Sequence, residues 1–278
     1  ASDPDADRVG AAVKNNEGEW VLLNGNQTAL MFVYYLITRW KELGKIQGKE
    51  YIVKTIVTTE TIKTIADRNG VGFYDVYTGF KWIANVMKQN EGKLNYIGGG
   101  EESYGFLCED FVRDKDAVSA CAVLAEIAAW AKDQGMSMYQ LLQKIYVEYG
   151  FSKEKGISVV KKGKSGAEEI EAMMKHFREN PLKEIAGSKV TYFYDYSTLK
   201  EIDYLENETL TLDMPVTSNV LQFFTEDGTK VSIRPSGTEP KIKFYCEVHS
   251  KVNSVEELDA ADKAATEKIE AIKASLGI

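Results

Sequence analysis

Three aspartates near the start of the chain form its clearest chemical pattern. Asp3, Asp5 and Asp7 alternate in the segment SDPDADR, and Arg8 follows directly. Side chains at alternating positions of an extended segment point to the same side. Three carboxylates on one side repel one another unless a cation lies between them, and hard oxygen ligands without His or Cys suit Mg²⁺ or Ca²⁺. The spacing therefore predicts a metal site, with a solvated acidic terminus as the alternative.

The same spacing also opens the calcium loop of an EF-hand, which begins D-x-D-x-D. That loop needs a glycine at its sixth position and a glutamate at its twelfth. Counted from Asp3, these positions hold Arg8 and Lys14. The sequence excludes an EF-hand but leaves a magnesium site open.

The segment GGGEESYGF follows a predicted strand and combines glycines with polar side chains. Glu101 and Ser103 alternate, so both can face one ligand. A carboxylate accepts hydrogen bonds and a hydroxyl donates or accepts, which suits the hydroxyl groups of a sugar. Glycines let the backbone approach a ligand closely. The alternative is a glycine-rich turn with no ligand.

The segment RPSGTEPK indicates a phosphate-binding loop. Arg234 can bind a phosphate with two parallel hydrogen bonds. A glycine lets successive backbone N–H groups form a nest for an anion. The residues that add donors or positive charge are Ser236, Gly237, Thr238, Lys241 and Lys243. The alternative is an ordinary turn beside surface lysines.

Two further segments carry weaker signals. TGFKW, residues 78–82, is a loop that leads into a predicted helix and contains a lysine. RDKDAV places Lys115 between Asp114 and Asp116 at a helix start, where acidic residues suit helix capping and the helix dipole. No Ser-His-Asp arrangement and no G-x-G-x-x-G after a strand can be assigned.

Composition narrows the functional classes. The net charge of −8 argues against a general binder of nucleic acid or of anionic membranes. The three cysteines lack a C-x-x-C spacing, which argues against a disulfide framework or a zinc site and favours a cytoplasmic protein. No segment resembles a signal peptide or a membrane span.

The elements that must position these motifs divide the chain. Residues 1–17 read as the tail of a preceding domain. Strands and helices alternate over residues 18–148, which predicts an α/β unit with a mixed, largely parallel sheet flanked by helices. Residues 149–278 begin with a basic, glycine-punctuated stretch, KEKGISVVKKGKSG, and continue with one helix and several short strands. This second pattern predicts an α+β domain with an antiparallel sheet.

Local signals sharpen three of these elements. An apolar run predicts a helix over residues 28–43, which ends at Gly44. Ser137 and Gln140 have the spacing of a capping box at the start of another helix. Asp227 and Gly228 lie between two strand-like runs and predict a hairpin.

In this order, the motifs resemble those of the α-D-phosphohexomutase family of phosphoglucomutases and phosphomannomutases. The matching segments are SDPDADR, TGFKW, GGGEESYGF, RDKDAV and RPSGTEPKIKFY. The resemblance implies that residues 1–17 end a second domain and carry its metal loop. Residues 18–148 would be a third, α/β domain, and residues 149–278 a fourth, TATA-box-binding-protein-like domain. The first domain, most of the second and the phosphorylated serine would lie outside the chain.

The resemblance also implies a role for each motif residue. Asp3, Asp5 and Asp7 match the Mg²⁺ ligands, while Arg8 and Lys115 match residues of the catalytic centre. The residues that match the sugar-binding loops are Thr78, Gly79, Phe80, Lys81, Glu101 and Ser103. The residues that match the grip on the non-reacting phosphate are Arg234, Ser236, Gly237, Thr238 and Lys243.

The implied activity belongs to the parent enzyme. It would be an intramolecular phosphotransferase that interconverts hexose 1-phosphate and hexose 6-phosphate through a phosphoserine and a bisphosphate intermediate. Mg²⁺ and a sugar bisphosphate activator would be its cofactors, and small phosphorylated sugars its partners. This chain alone would be inactive without the serine. The alternatives are a phosphopentomutase, a sugar-bisphosphate synthase or a sugar-phosphate-binding protein without catalysis.

Overall fold

The structure, a computed structural model, describes residues 1–161, 163–237 and 239–278. The chain divides into two compact units. Unit 1 comprises Ala1–Gly150 with Asn253–Val255, and unit 2 comprises Phe151–Val252 with Glu256–Ile278. Across these described ranges, no helix is both long enough and apolar enough to cross a membrane.

Unit 1 contains six strands and five helices. The strands are β1 (Ala12–Lys14), β2 (Trp20–Leu22), β3 (Glu50–Thr55), β4 (Gly72–Val76), β5 (Asn95–Gly100) and β6 (Phe106–Cys108). The helices are α1 (Gly25–Glu42), α2 (Thr61–Arg68), α3 (Phe80–Asn90), α4 (Ala117–Asp133) and α5 (Met138–Tyr149). Strands β1 and β2 form a separate antiparallel pair.

The main sheet of unit 1 has the strand order β4-β3-β5-β6. Strand β3 runs parallel to β4 and β5, whereas β6 runs antiparallel to β5. Helix α3 covers one face, where Ile83 and Met87 pack against Val53. Helix α1 packs on the other face, where the ring of Phe32 stacks on Phe106 with centroids 4.4 Å apart. The predicted mixed, largely parallel sheet flanked by helices is confirmed.

Helix α1 begins earlier than predicted, at Gly25 instead of Thr28. The side chain of Asn24 accepts a hydrogen bond from the N–H of Gln27 at 2.8 Å, and the Gln27 side chain accepts one from the Asn24 N–H at 3.0 Å. This capping box satisfies N–H groups that the first turn leaves unpaired. The capping box predicted for Ser137 and Gln140 is confirmed at the start of α5.

Unit 2 is built on one antiparallel sheet. Its strands are β7 (Phe151–Val160), β8 (Glu184–Ile185), β9 (Ser188–Asp195), β10 (Lys200–Asp203), β11 (Glu208–Thr211), β12 (Leu221–Thr225), β13 (Lys230–Pro235) and β14 (Lys241–Ser250). Its helices are α6 (Gly163–Glu179) and α7 (Leu258–Leu276). The order is β11-β10-β9-β12-β13-β14-β7, and β8 pairs with β9. The antiparallel sheet and the β12–β13 hairpin are confirmed.

Helices α6 and α7 cover one face of this sheet. Apolar side chains alternate along the central strands, as in Phe244 and Cys246 of β14, and both are buried. The ring of Phe177 on α6 lies 6.4 Å from that of Phe244. The sheet also holds a buried ion pair, in which Lys230 Nζ lies 3.1 Å from a carboxylate oxygen of Glu247.

Sequence patterning did not predict strand β7. All ten of its residues pair with β14, from Phe151 opposite Ser250 to Val160 opposite Lys241. The strand lies at the end of the sheet order, and lysines are common on such edge strands because they discourage pairing with other chains. Its basic, glycine-punctuated composition therefore marks an edge position.

Candidate functional site

The backbone of the metal loop converges on Asp3. Its Oδ1 accepts hydrogen bonds from the N–H groups of Asp7 at 3.2 Å and Arg8 at 3.0 Å. Ala6, with φ of +58°, provides the tight turn between them. These bonds, above all the one from Arg8, lower the pKa of Asp3. The loop is therefore folded around an ionised carboxylate.

The three aspartates fit a hard divalent cation. One carboxylate oxygen from each of Asp3, Asp5 and Asp7 lies within 4.8 Å of the others. Among the described residues, the buried Oδ1 atom of Asp7 has no hydrogen-bond donor. Arg8 Nε lies 3.7 Å from this atom, too far for a hydrogen bond, and Mg²⁺ or Ca²⁺ prefers oxygen ligands of this kind. The geometry supports a candidate metal centre.

Lys115 lies beside this cluster. Its Nζ is 2.6 Å from Asp7 Oδ2 and 3.6 Å from Asp114 Oδ1. Burial lowers the pKa of Lys115, but the hydrogen bond from Lys115 to Asp7 and the negative charges of Asp114, Asp7 and Glu101 outweigh burial and raise it. The ammonium group is therefore held in its charged form next to the metal loop.

Helix α4 fixes the position of Lys115. The side chain of Asp116 caps the helix by accepting hydrogen bonds from the N–H groups of Val118 and Ser119. The Ala117 N–H donates to the Ala6 carbonyl at 3.0 Å. The start of α4 is thus hydrogen-bonded to the metal loop, and the lysine directly before it faces the aspartates.

The predicted sugar-binding residues meet at Glu101, directly after β5. The side chain of Glu101 is buried, and its Oε1 accepts a hydrogen bond from the Gly79 N–H at 2.7 Å. A Cβ atom placed on Gly105 would lie 2.5 Å from Lys115 Cδ and 3.6 Å from Glu101 Oε2. Gly105 therefore lets Lys115 pass close to Glu101. The loops after the parallel strands β4 and β5 meet here, where α/β sheets usually bind ligands.

The predicted sugar-binding loop at residues 101–105 also pairs with the predicted metal loop at residues 3–8. Arg8 forms an antiparallel bridge with Gly105, and the Val9 N–H donates to the Tyr104 carbonyl at 3.1 Å. Unit 1 thus brings the three aspartates, Lys115, Glu101 and Gly79 into one connected site. The side chain of Arg8 is about half exposed and lies 3.7 Å from Asp7 Oδ1.

The other predicted sugar-site residues have mixed positions. Thr78 and Ser103 are half-buried in their loops, and Lys81 is exposed with its Nζ 5.1 Å from the Trp82 ring centroid. Phe80 is buried in the core at the start of α3, packed with the cluster that contains Val53. Its ring therefore lies in the core and anchors the loop at Thr78 and Gly79, which precedes it.

Two threonines that the sequence patterns did not single out hold the sugar-binding loop. The hydroxyl of Thr58 accepts a hydrogen bond from the Glu102 N–H at 3.2 Å. The hydroxyl of Thr55 donates to Glu102 Oε2 at 3.3 Å and lies 2.8 Å from the hydroxyl of Thr58. The run TIVTT, which begins at the last residue of strand β3, was the signal that could have revealed them.

Gly25 is a second supporting residue that sequence reasoning missed. A Cβ atom at this position would lie 1.9 Å from the Glu102 carbonyl oxygen and 2.8 Å from the Tyr104 nitrogen. Helix α1 therefore reaches the sugar-binding loop only because its first residue has no side chain. Next to it, the Asn26 side chain accepts a hydrogen bond from the Thr59 N–H at 3.0 Å.

The predicted phosphate loop lies in unit 2, between β13 and β14. Arg234 and Lys243 are direct cross-strand partners, so their side chains leave the same face of the sheet. The Ser236 N–H donates to the Lys241 carbonyl at 2.8 Å. The Ser236 hydroxyl accepts a hydrogen bond from the Glu239 N–H at 3.3 Å. The predicted residue Thr238 lies outside the described part of the chain.

Charge around this loop favours an anion. Lys241 Nζ lies 2.6 Å from a carboxylate oxygen of Glu239, and this hydrogen bond lowers the pKa of Glu239. No acidic side chain in the described ranges forms an ion pair with Arg234 or Lys243. Arg234 is therefore available to a ligand, while the charge of Lys243 also acts on Glu239 and helps to lower the pKa of that carboxylate.

A cavity of about 470 Å³ lies beside the phosphate loop, within unit 2. Arg234, Ser236 and Gly237 line one side of it. The residues that line the rest include Ala167, Ile170, Glu171 and Met174 of α6, with Ser218 and Asn219 before β12. The loop therefore borders a space that can hold a phosphate group.

Two family models match the chain. The model described as phosphoglucomutase/phosphomannomutase, alpha/beta/alpha domain III, matches residues 24–149. The model described as phosphoglucomutase/phosphomannomutase, C-terminal domain, matches residues 159–263. A curated relative, a phosphoglucomutase of Staphylococcus aureus strain N315, is 38% identical over 245 residues. That match covers 88% of this chain and 43% of the relative.

Solved structures share the fold at low sequence identity. Parafusin, a phosphoglucomutase from Paramecium, has a TM-score of 0.59 and 18% identity, and the match covers 98% of this chain and 44% of that one. An N-acetylphosphoglucosamine mutase from Aspergillus fumigatus, solved with GlcNAc-6P and magnesium, has a TM-score of 0.51 and 14% identity. That match covers 100% of this chain and 48% of the mutase.

These matches agree with the fold and with one another. The chain spans a little under half the length of the curated relatives it matches. The domain III model lies in unit 1, and the C-terminal domain model lies mainly in unit 2. Their order is that of the motifs along the sequence. The chain belongs to the phosphoglucomutase/phosphomannomutase family, the α-D-phosphohexomutases.

Proposed function

We propose that this chain supplies the metal, sugar and phosphate loops of a phosphohexomutase. The whole enzyme interconverts hexose 1-phosphate and hexose 6-phosphate through a phosphoserine and a sugar bisphosphate. In this proposal the serine belongs to a part of the enzyme outside these 278 residues, which is compatible with the 43% of the curated relative that the chain spans. The observation that carries the proposal is the joining of the metal loop, Lys115 and Glu101 in unit 1.

In this proposal Asp3, Asp5 and Asp7 hold Mg²⁺, as their converging oxygens allow. Bound Mg²⁺ supplies positive charge that offsets the charge of a transferring phosphoryl group. Lys115 adds a second positive charge at the same place and orients the Asp7 carboxylate. The A. fumigatus mutase solved with magnesium and a sugar phosphate supports this choice of metal and substrate class.

The sugar and its distant phosphate are bound by different loops. The Gly79 N–H holds Oε1 of Glu101, so Oε2 remains to accept a hydrogen bond from a sugar hydroxyl. Ser103 and Thr78 add hydroxyl groups in the adjoining turns. In unit 2, Arg234 and the Ser236–Gly237 backbone bind a phosphate group.

Activity assays test the proposal on the protein expressed with the coding sequence that precedes Ala1 in its reading frame. With Mg²⁺ and catalytic glucose 1,6-bisphosphate, that protein converts glucose 1-phosphate to glucose 6-phosphate. We expect the chain of 278 residues alone not to catalyse this conversion. Asp5→Asn removes one exposed metal ligand and lowers turnover, whereas Asp133→Asn, at the far end of α4, does not. Full turnover by the Asp5→Asn protein would refute the metal assignment.

A substrate panel separates hexose mutases from their relatives. We expect glucose or mannose 1-phosphate to be turned over faster than glucosamine or ribose 1-phosphate. Exclusive turnover of ribose 1-phosphate would replace the proposal with a phosphopentomutase. If the longer protein binds sugar phosphates but turns none of them over, it is a binding protein.

A further inference from the structure

A buried carboxylate in unit 2 anchors an arginine of helix α6. Asp195, the last residue of β9, is 5% exposed, and its Oδ1 accepts a hydrogen bond from Arg178 Nε at 3.2 Å. Burial raises the pKa of Asp195, but hydrogen bonds from Ser197 and Thr198 and the charge of Arg178 lower it overall. The carboxylate is therefore held ionised and fixes the guanidinium group.

The guanidinium group in turn fixes the side chain of Asn219. Arg178 Nη2 donates a hydrogen bond to Asn219 Oδ1 at 2.8 Å. A guanidinium group donates and never accepts, so the oxygen of the Asn219 amide must face Arg178. The Nδ2 group, with two N–H donors, must then face away from Arg178.

Asn219 lies next to the phosphate loop. Leu221 pairs with Ile233, so the residues that precede Leu221 run beside those that follow Ile233. Asn219 lines the same cavity as Arg234 and Ser236. The amide, whose orientation is fixed by Arg178, therefore borders the cavity that lies between the phosphate loop and α6.

The carboxylates on the cavity wall do not prevent an anion from binding there. Two carboxylates also line the cavity, those of Glu171 and Glu239. Glu239 is ion-paired with Lys241, and Glu171 is exposed on α6. A neutral amide donor on this wall adds a hydrogen bond to a phosphate without adding charge.

We propose that Asn219 is a further phosphate-binding residue, whose Nδ2 donates to the phosphate bound by Arg234 and the Ser236–Gly237 backbone. Arg178, held by Asp195, is its positioning residue. This inference rests on the proposed phosphate loop and extends its ligand set to a segment before β12. It predicts that recognition of the phosphate depends on the orientation of one amide.

The test titrates the full 278-residue chain with inorganic phosphate at constant ionic strength. Calorimetry gives the Kd, and NMR follows the side-chain amide signals of Asn219, which are assigned by their loss in Asn219→Asp. Asn219→Asp keeps an acceptor for Arg178 but replaces the donor with negative charge. We expect it to raise the Kd roughly ten-fold or more, since a hydrogen bond to a charged group is worth about 1.5–3 kcal/mol. Asn219→Ala raises the Kd several-fold.

Asn180→Asp is the matched control. Asn180 follows the last turn of α6, and its side chain donates to the His176 carbonyl, so the variant makes the same charge change outside the cavity. Its Kd stays within about two-fold of the wild type. Asn219→Asp keeps the melting temperature of the wild type or raises it, because its carboxylate strengthens the contact with Arg178.

Arg178 variants test the positioning role. Arg178→Gln lets the Asn219 amide group rotate, so we expect weaker phosphate binding. Arg178→Lys can still donate to Asn219 Oδ1, so we expect it to keep most of the wild-type affinity. Unfolding curves measured alongside separate this effect from a loss of stability.

These measurements distinguish a failure of the Asn219 role from a failure of the proposed phosphate loop. Unchanged phosphate affinity in both Asn219 variants, with a clear loss in Arg234→Gln, overturns the role of Asn219 and leaves the phosphate loop standing. The same follows if phosphate leaves the Asn219 amide signals unmoved. If the wild type binds no phosphate, or Arg234→Gln binds it equally well, the proposed phosphate loop fails and this inference fails with it.

Discussion

Gly25→Ala tests whether helix α1 sets the position of the sugar-binding loop. The added Cβ atom would lie 1.9 Å from the Glu102 carbonyl oxygen, and real Cβ contacts are essentially never closer than 3.0 Å. The two backbone segments must therefore separate by about 1.1 Å. Neither is the end of a flexible side chain, so the loop that contains Glu101 must move relative to the helix.

The cost follows from this displacement. Overpacking in a tightly packed region destabilises a protein by about 1–3 kcal/mol. In a domain of this size that lowers the melting temperature by roughly 2–12 °C. The loop that contains Glu101 would shift by a similar distance, which weakens a hydrogen bond from Glu101 to a sugar hydroxyl. We therefore expect Gly25→Ala to lower stability and weaken binding of glucose 6-phosphate.

Tryptophan fluorescence reports the result, because all four tryptophans lie in unit 1: Trp20, Trp40, Trp82 and Trp130. Gly10→Ala is the matched control, since a Cβ atom there meets nothing within 4 Å. Its melting temperature stays near that of the wild type. If Gly25→Ala melts and binds sugar phosphate as Gly10→Ala does, the close approach of α1 does not position the loop.

Three further predictions concern charged groups. A carboxylate with a lowered pKa stabilises a fold above its unfolded pKa of about 3.9, and this contribution is lost as the pH falls through the folded pKa. The stability difference between wild type and Asp195→Asn should therefore shrink from pH 5 to pH 2 in urea unfolding followed by circular dichroism; a constant difference would contradict it. Lys230→Met removes the ammonium group from the buried pair with Glu247, which keeps His249 Nε2 at 2.8 Å, and should cost up to about 3–5 kcal/mol, whereas Lys153→Met, at an exposed pair, should cost about 0–1 kcal/mol; equal losses would refute this. Glu101→Gln should weaken glucose 6-phosphate binding about ten-fold by calorimetry, and unchanged affinity would remove its sugar-binding role.

Local sequence patterns predicted much of the fold. Apolar and β-branched runs in alternation predicted the parallel sheet of unit 1, and Ser137 with Gln140 predicted the start of α5. The start of α1 was missed because its apolar run begins at Thr28, while the capping residues Asn24 and Gln27 lie before it. Periodicity locates the buried face of a helix better than it locates the first turn.

Contacts between distant segments could not be read from spacing. Arg8 and Gly105 form a bridge although they lie 97 residues apart in sequence. The approach of Gly25 to Glu102 also depends on how α1 packs on the sheet. The motifs named the metal and sugar loops, but only the folded chain shows that Gly105 lets Lys115 reach the aspartates.

The pairing of strand β7 also determines when unit 2 can form during synthesis. Phe151, its first residue, pairs with Ser250, so the pairing of β7 with β14 can be completed only after about a hundred further residues have been synthesised. The main sheet of unit 1 needs only the segment from Glu50 to Cys108. On the ribosome, unit 1 can therefore fold while β7 still lacks its partner. A stalled chain that ends before β14 would expose β7 as a free strand, which makes that length the stage most prone to aggregation.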